Sequence, residues 1–340
     1  MDALLIDRWL EGSPYLATID DASAALAREE VRVTGAQLGL PAEAIAELAI
    51  AVSELVSNQI RHARFGRIAV RGIERDGVRG LEIVAADRGP GIADPTAALL
   101  GTPRISGSLG TGVSAVMKFS DEVDFDVRLG EGTCVWARRF ARPVARRREV
   151  AMLARPLVGE RASGDDGTFF RREGALIVAL ADGLGHGPQA REASAAAIDA
   201  VRRPFADHHE LFLRANEELV STRGAVMTVV EIDEALDVVQ QTAVGNVSAM
   251  IVGKDGLRTF LAPSMILGPH RDALRGRTRT ERHALSSSRD VVVLFSDGLT
   301  TKTRLDVRDE VVRAHPLRIA HHLLGAFGRD NDDATVLVVA

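Results

Sequence analysis

Apolar residues recur every three to four positions through "ASAALAREEVRVTGAQLG" (22–39) and "PAEAIAELAIAVSELVSNQIRHA" (41–63). That period predicts two amphipathic helices, the second with Ile45, Leu48, Val52, Leu55 and Val56 as its apolar stripe. The pattern then changes to short apolar runs, "RIAVRGIE", "GLEIVAA", "EVDFDVRL" and "TCVWARRF", which predict strands. Helices followed by strands give an α/β domain with an antiparallel sheet. Beyond residue 150 strands dominate: "ALIVALA", "AVMTVVEI", "VVQQTAVG", "AMIVGK", "VVVLF" and "ATVLVV", with helical stretches around 188–203, 207–222 and 308–327. The second half therefore predicts a β-sandwich flanked by helices, and the chain as a whole an α+β protein of two domains.

Between the halves, "RRFARPVARRREVAMLARP" holds six arginines from 138 to 148, with Pro143 and Pro156 and no acid before Glu149. Such a run reads as a solvated linker, dividing the chain into 1–142, a connector at 143–149, and 150–340. With 46% hydrophobic and 26% charged residues, 340 residues can bury two ordinary cores. A formal charge of −5 gives no general attraction to nucleic acid or anionic lipid. One cysteine, Cys134, excludes an internal disulfide. "MDALLIDRWLEG" has acids where a signal peptide is basic, and no apolar run approaches the roughly 18 to 20 residues of a membrane span. The expectation is a cytoplasmic protein without membrane or nucleic-acid partners.

The Asp-Gly pairs are of two kinds. Asp76-Gly77 and Asp255-Gly256 lie among charged residues between strands, the setting of hairpin turns. Asp182-Gly183 follows "ALIVALA" and Asp297-Gly298 follows "VVVLFS", while Asp332 and Asp333 immediately precede "ATVLVV". An ionised carboxylate at the tip of a buried strand is either turn chemistry at a solvated edge or the ligand of a cation. Converging carboxylates would repel one another unless hard divalent cations neutralised them, and oxygen-only ligands select Mg2+ or Mn2+ over zinc. In this order, "SGDDGTFF", "ADGLGHG", "AVGN", "FSDGLT" and "DDATVLVV" resemble the successive motifs of the SpoIIE-like branch of PPM metal-dependent serine/threonine phosphatases, with RsbX-type phosphatases nearest, over about 150–340. The resemblance implies a centre of two Mn2+ or Mg2+ ions held by Asp182, the carbonyl of Gly183, Asp297 and Asp332, with Asp165 nearby. Leu184 stands where the wider superfamily has a histidine after the Asp-Gly pair. His186 is then either the general acid or a loop histidine satisfying backbone groups.

In the first half, Glu54 and Asn58 lie four apart on one helix face. "GLEIVAADRGPGI" is a strand ending at Asp87 with Gly89 and Gly91 beyond it, and "ISGSLGTGVSAVMKF" runs from glycines into a helix whose free N–H groups suit an anion. Gly107, Gly110 and Gly112 are in the wrong order for a dinucleotide fingerprint, and Gly253-Lys254 is followed by Asp255, so there is no Walker A sequence. "ELVSNQIRHA", "LEIVAADRGPGI" and "SGSLGTGV" resemble the N, G1 and G2 boxes of the GHKL ATPase superfamily (Bergerat fold), most like RsbT/RsbW-type serine kinases and anti-sigma factors, over about 15–140. The resemblance implies ATP with Mg2+: Asn58 on the metal, Asp87 accepting from the adenine amino group, Gly89 and Gly91 beside the base. It places Gly107, Gly110 and Gly112 in the segment over the phosphates, Thr133 near the adenine through water, and Glu54 as general base for a serine hydroxyl.

Together the resemblances imply a bifunctional signalling protein that phosphorylates and dephosphorylates serine or threonine of a STAS-domain partner, in a stressosome or anti-anti-sigma switch. The alternative is an ATP-dependent anti-sigma-type module that sequesters a sigma factor, fused to an active phosphatase.

Overall fold

A computed structural model describes every residue except Met1, Arg64, 102–111, Leu261, 269–277 and Ser288. The chain forms two compact units, Met1–Glu149 and Val150–Ala340.

In the first unit, helices α1 (Asp2–Leu10), α2 (Asp21–Leu38), α3 (Ala42–His62), α4 (Pro95–Leu100) and α5 (Gly112–Phe119) accompany strands β1 (Leu16–Thr18), β2 (Gly66–Arg75), β3 (Val78–Asp87), β4 (Glu122–Arg128) and β5 (Gly132–Phe140). The strands pair antiparallel in the order β1-β2-β3-β5-β4. Asp20 caps α2 through a bond from the Ser23 N–H (3.1 Å), and Gly39 closes it in the left-handed conformation. On α3, Leu48, Val52, Leu55 and Val56 are buried, as the periodicity requires. Gln59 is buried on the same helix: its Nε2 donates to the Ala86 carbonyl (3.0 Å) and its Oε1 accepts from Thr18 Oγ1 (3.0 Å), tying α3 to β1 and β3. Asp76-Gly77 makes the β2–β3 turn. Leu5, Ile6, Trp9 and Leu10 of α1 pack on Ala69, Val84, Ala86 and Cys134 of the sheet.

After Arg138 and Arg139, which belong to β5, residues 141–149 of the Arg-rich segment form no helix or strand, but they are not solvated throughout. Arg75 donates twice to Glu122 (2.5 and 2.7 Å) and once to the Ala145 carbonyl (3.2 Å), and Glu122 also accepts from the Arg147 N–H (3.0 Å). Glu149 accepts from the Val123 N–H (3.0 Å) and from Arg146 (2.7 Å). Two buried carboxylates thus draw 145–149 onto β4, a pairing that the composition of the segment does not disclose.

In the second unit, β6 (Val150–Arg155), β7 (Asp165–Arg172), β8 (Ala175–Gly183), β9 (Ala225–Asp233), β10 (Val238–Val244), β11 (Ser248–Gly253), β12 (Gly256–Thr259), β13 (Arg279–Ala284), β14 (Val291–Phe295) and β15 (Ala334–Val339) alternate with α6 (Pro188–Arg202), α7 (His208–Glu218) and α8 (Pro316–Phe327). One sheet runs β6-β15-β14-β11-β12, the other β13-β10-β9-β8-β7. Leu176, Val178 and Leu180 of β8 join Val292, Leu294, Leu337 and Val339 in the core between the sheets. Ile177, Ala179 and Ala181 face the other way, into the cluster made by α6 and α7. Both faces of β8 are covered, so the strand reads as the unbroken apolar run "ALIVALA".

Candidate functional site

Each unit gathers polar residues at strand ends. In the second, β7 and β8 pair so that Asp165 lies opposite Asp182 at the end of one sheet. Asp297 follows β14 and Asp332 precedes β15, neighbouring strands of the other sheet. A cross-sheet bond closes the gap: Ser296 Oγ donates to Asp165 Oδ2 (2.7 Å) and accepts from the Thr335 N–H (3.0 Å). The carboxylates are close enough to interact strongly. Burial pushes Asp182 far above the usual carboxylate range, with the charges of Asp165, Asp297 and Asp332 adding to it, and Asp182 is within hydrogen-bond reach of Asp297. Burial likewise raises Asp165, opposed by the Ser296 bond and reinforced by Asp333 and Asp297. Asp332 is raised by burial and by Asp297.

Gly183 is needed because any side chain there would collide with the backbone carbonyl of Ala190 on α6. Asp165 Oδ1 is buried without a hydrogen-bond partner among the described residues. Four mutually repelling carboxylates and an orphaned buried oxygen fit divalent cations, because only positive charge relieves both. Among the described residues no three such side chains close into a ready-made coordination cage.

Asp333, adjacent to Asp332, does different work. Its two oxygens accept from the N–H groups of Leu157 (2.7 Å) and Gly164 (2.9 Å), fixing the chain that leads to Asp165. Asn246, in "AVGN", donates to Asp297 Oδ2 (2.7 Å), and Arg191 of α6 donates to the carbonyls of Ser163 (3.2 Å) and Asp165 (3.1 Å). Ser296 and Arg191 are not legible as site residues in the sequence, and Asp333 is legible there only as a strand-tip carboxylate and not as the acceptor that holds this chain; a small hydroxyl between an apolar strand and an Asp-Gly pair is the one signal Ser296 offers. His186 is exposed, its Nδ1 3.0 Å from Glu160 Oε1. Its partner is a carboxylate and not a backbone group.

In the first unit, Glu54 and Asn58 are half-buried on α3. A Cβ on Gly112, the first residue of α5, would stand 2.5 Å from Asn58 Nδ2, so that helix starts against Asn58. Gly107 and Gly110 lie outside the described residues. Asp87 ends β3 opposite Thr133 of β5, and its Oδ1 accepts from the Gly89 N–H (2.7 Å). Burial pushes its pKa up to about 6, against the stabilising N–H groups of Gly89 and Thr133. Pro90 accepts from the Gly130 N–H (3.0 Å), which fastens the turn carrying Gly89 and Gly91 to the β4–β5 hairpin.

Residues 17–139 match the histidine kinase-like ATPase domain and residues 172–340 match stage II sporulation protein E. The serine/threonine-protein kinase RsbT of Bacillus subtilis is 34% identical over 116 residues, 34% of this chain and 87% of RsbT. The anti-sigma F factor of Caldanaerobacter subterraneus subsp. tengcongensis is 34% identical over 120 residues, 34% of this chain and 82% of that protein. Among solved structures, one from work on the bacterial stressosome as a modular system controlling secondary messenger signalling superimposes with a TM-score of 0.51 at 28% identity, over 57% of this chain and 100% of that one. RsbX in complex with magnesium gives a TM-score of 0.50 at 23% identity, over 58% of this chain and 96% of RsbX, a likeness of fold. The chain therefore belongs to the histidine kinase-like ATPase family through its first unit, in the company of RsbT and anti-sigma factors, and joins to it a SpoIIE-type phosphatase domain of the PPM fold.

Proposed function

We propose that the protein writes and erases one phosphoryl mark on a serine or threonine of a STAS-domain partner, and so controls a stress or sigma-factor response. The observation that carries this reading is the coexistence, on one chain, of an RsbT-like ATPase unit and a carboxylate cluster at the strand ends of a PPM fold. The stressosome likeness supports the choice of partner. Run together, the two activities would only hydrolyse ATP, so the partner or a signal restrains one of them.

In the first unit ATP with Mg2+ is the expected ligand. Asp87 would accept from the adenine amino group, with Gly89, Gly91 and Thr133 around the base and Asn58 toward the metal. Gly112 would lie against the phosphates, and Gly107 and Gly110 in the segment over them. Glu54 would take the proton of the attacking serine hydroxyl, four residues and one helical turn from Asn58. In the second unit Asp165, Asp182, the Gly183 carbonyl, Asp297 and Asp332 would hold two Mn2+ or Mg2+ ions, which when bound supply Lewis-acid chemistry at a phosphoryl group. Ser296 and Asn246 orient Asp165 and Asp297 for that task. His186, held by Glu160, would deliver a proton to the leaving oxygen.

A second reading, favoured by the likeness to an anti-sigma factor, makes the first unit a nucleotide-dependent clamp on a sigma factor. One experiment separates the two. With a purified STAS partner and ATP, the Asp182→Asn protein should accumulate phosphopartner, read by intact mass, and the Glu54→Ala protein should strip the same residue. No transfer by Asp182→Asn protein, together with capture of a sigma factor, would favour the clamp.

A further inference from the structure

An arginine without a partner among the described residues stands against the loop that leaves Asp182 and Gly183. The turn at 222–224 joins α7 to β9 and is fixed at both ends. Thr222 Oγ1 donates to the Leu219 carbonyl (2.8 Å) and accepts from the Gly224 N–H (3.0 Å). The Gly224 carbonyl accepts from the Leu184 N–H (3.0 Å), which clips the turn to the loop that follows Asp182 and Gly183. Within that loop Gly185 has φ +87°, and a Cβ there would lie 3.0 Å from Arg223 Nη1. The guanidinium therefore lies close against the backbone at Gly185.

Arg223 is exposed and makes no hydrogen bond or ion pair among the described residues. Several arginines of this unit are engaged elsewhere, Arg155 with Asp330, Arg171 with Glu234, Arg203 with Glu218, and Arg191 with backbone carbonyls, and Arg329 acts on Asp332. A phosphate monoester entering this site meets Asp165, Asp182, Asp297 and Asp332, whose charges oppose its own. A planar guanidinium at the rim, able to donate two parallel hydrogen bonds, suits two oxygens of a phosphoryl group.

We propose that Arg223 binds the phosphoryl group of the phosphoserine or phosphothreonine substrate, and the inorganic phosphate released from it. The proposal rests on the phosphatase reading of this unit. Arg223 acts on both the bound substrate and the transition state, so its loss should fall on KM and leave kcat nearly intact. A charge-assisted hydrogen bond at the rim of a site corresponds to roughly a tenfold change in affinity.

The test uses the full chain with Mn2+, a phosphoserine peptide, and inorganic phosphate as competitor. Arg223→Ala is expected to raise KM and the phosphate inhibition constant in parallel, by roughly tenfold each, with kcat within about twofold. Calorimetry should show the same loss in phosphate binding without turnover, and Arg223→Lys should recover part of it, since a lysine keeps the charge but not the paired donors. An active wild type whose Arg223→Ala variant keeps both constants, or loses kcat at constant KM, overturns the assignment of Arg223 alone. A wild-type protein with no metal-dependent turnover overturns the phosphatase reading beneath it.

Discussion

Replacing Asp87 by asparagine should weaken ATP binding and at the same time stabilise the nucleotide-free protein. Burial holds the Asp87 carboxyl at about 6, well above an ordinary aspartate, so the ionised form is unfavourable in the folded state. The sign follows: a raised carboxyl pKa means that the folded protein retains its proton where the unfolded chain has lost it. Stability therefore falls as pH climbs from about 4 to 6 and stays reduced above that. An asparagine side chain at this position has no charge to desolvate, so the Asp87→Asn variant should be more stable than wild type at pH 7 by about 1 to 3 kcal/mol.

Binding runs the other way. In the proposed nucleotide site the ionised carboxylate would accept from the adenine amino group, and the neutral amide should then cost about 1 to 3 kcal/mol at pH 7. Below the pKa of wild type each pH unit removes about tenfold of the ionised form, roughly 1.4 kcal/mol, whereas Asp87→Asn has nothing to titrate. ATP has its own protonation, but both proteins see it equally, so the ratio of their dissociation constants isolates Asp87. Calorimetry from pH 5 to 8 should show that ratio shrinking toward unity at the acid end. A ratio constant across the range, or an Asp87→Asn protein that is both less stable and weaker in binding, would refute the assignment and make Asp87 a structural residue.

Glu54→Ala should leave ATP affinity nearly unchanged and abolish phosphoryl transfer; equal loss of binding in Glu54→Ala and Asn58→Ala would show by calorimetry that the two roles are not separate. Asp182→Asn or Asp297→Asn should lower Mn2+- or Mg2+-dependent phosphopeptide hydrolysis by orders of magnitude while the fold persists by circular dichroism, and hydrolysis undiminished in EDTA would defeat the metal reading. Arg75→Ala should destabilise the first unit by about 3 to 5 kcal/mol in urea unfolding, because it strands the buried Glu122 charge; a loss under about 1 kcal/mol would mean that Glu122 finds another cation or takes up a proton.

Most helices and strands are legible because their burial follows the sequence period, although α1 and α4 carry no such expectation: α3 buries one stripe, and β8 is apolar on both sides because both sides are covered. β6 is hidden within an arginine-rich stretch, since "VAMLAR" is too short to outweigh its flanks. β13, "RTERHA", has no apolar face to announce it and is held by register with β10. At the candidate sites, the aspartates at strand ends stand out because burying them is costly. What orients them does not: Ser296, Asp333 and Asn246 meet their partners only when two sheets or distant loops come together.

The aromatic residues of α1 and its sheet have an experimental consequence. Both tryptophans of the chain, Trp9 and Trp136, and its single tyrosine, Tyr15, belong to the first unit. Trp9 is 4% exposed, and its indole N–H donates to Asp126 Oδ2 (2.7 Å) beside Arg128. Tryptophan emission is accordingly a built-in optical signal of the ATPase half alone, blue-shifted while α1 is docked and red-shifted once water reaches the indole. The phosphatase half is dark at those wavelengths, so fluorescence and far-ultraviolet circular dichroism on the intact chain can assign each unfolding step to its half without any added label.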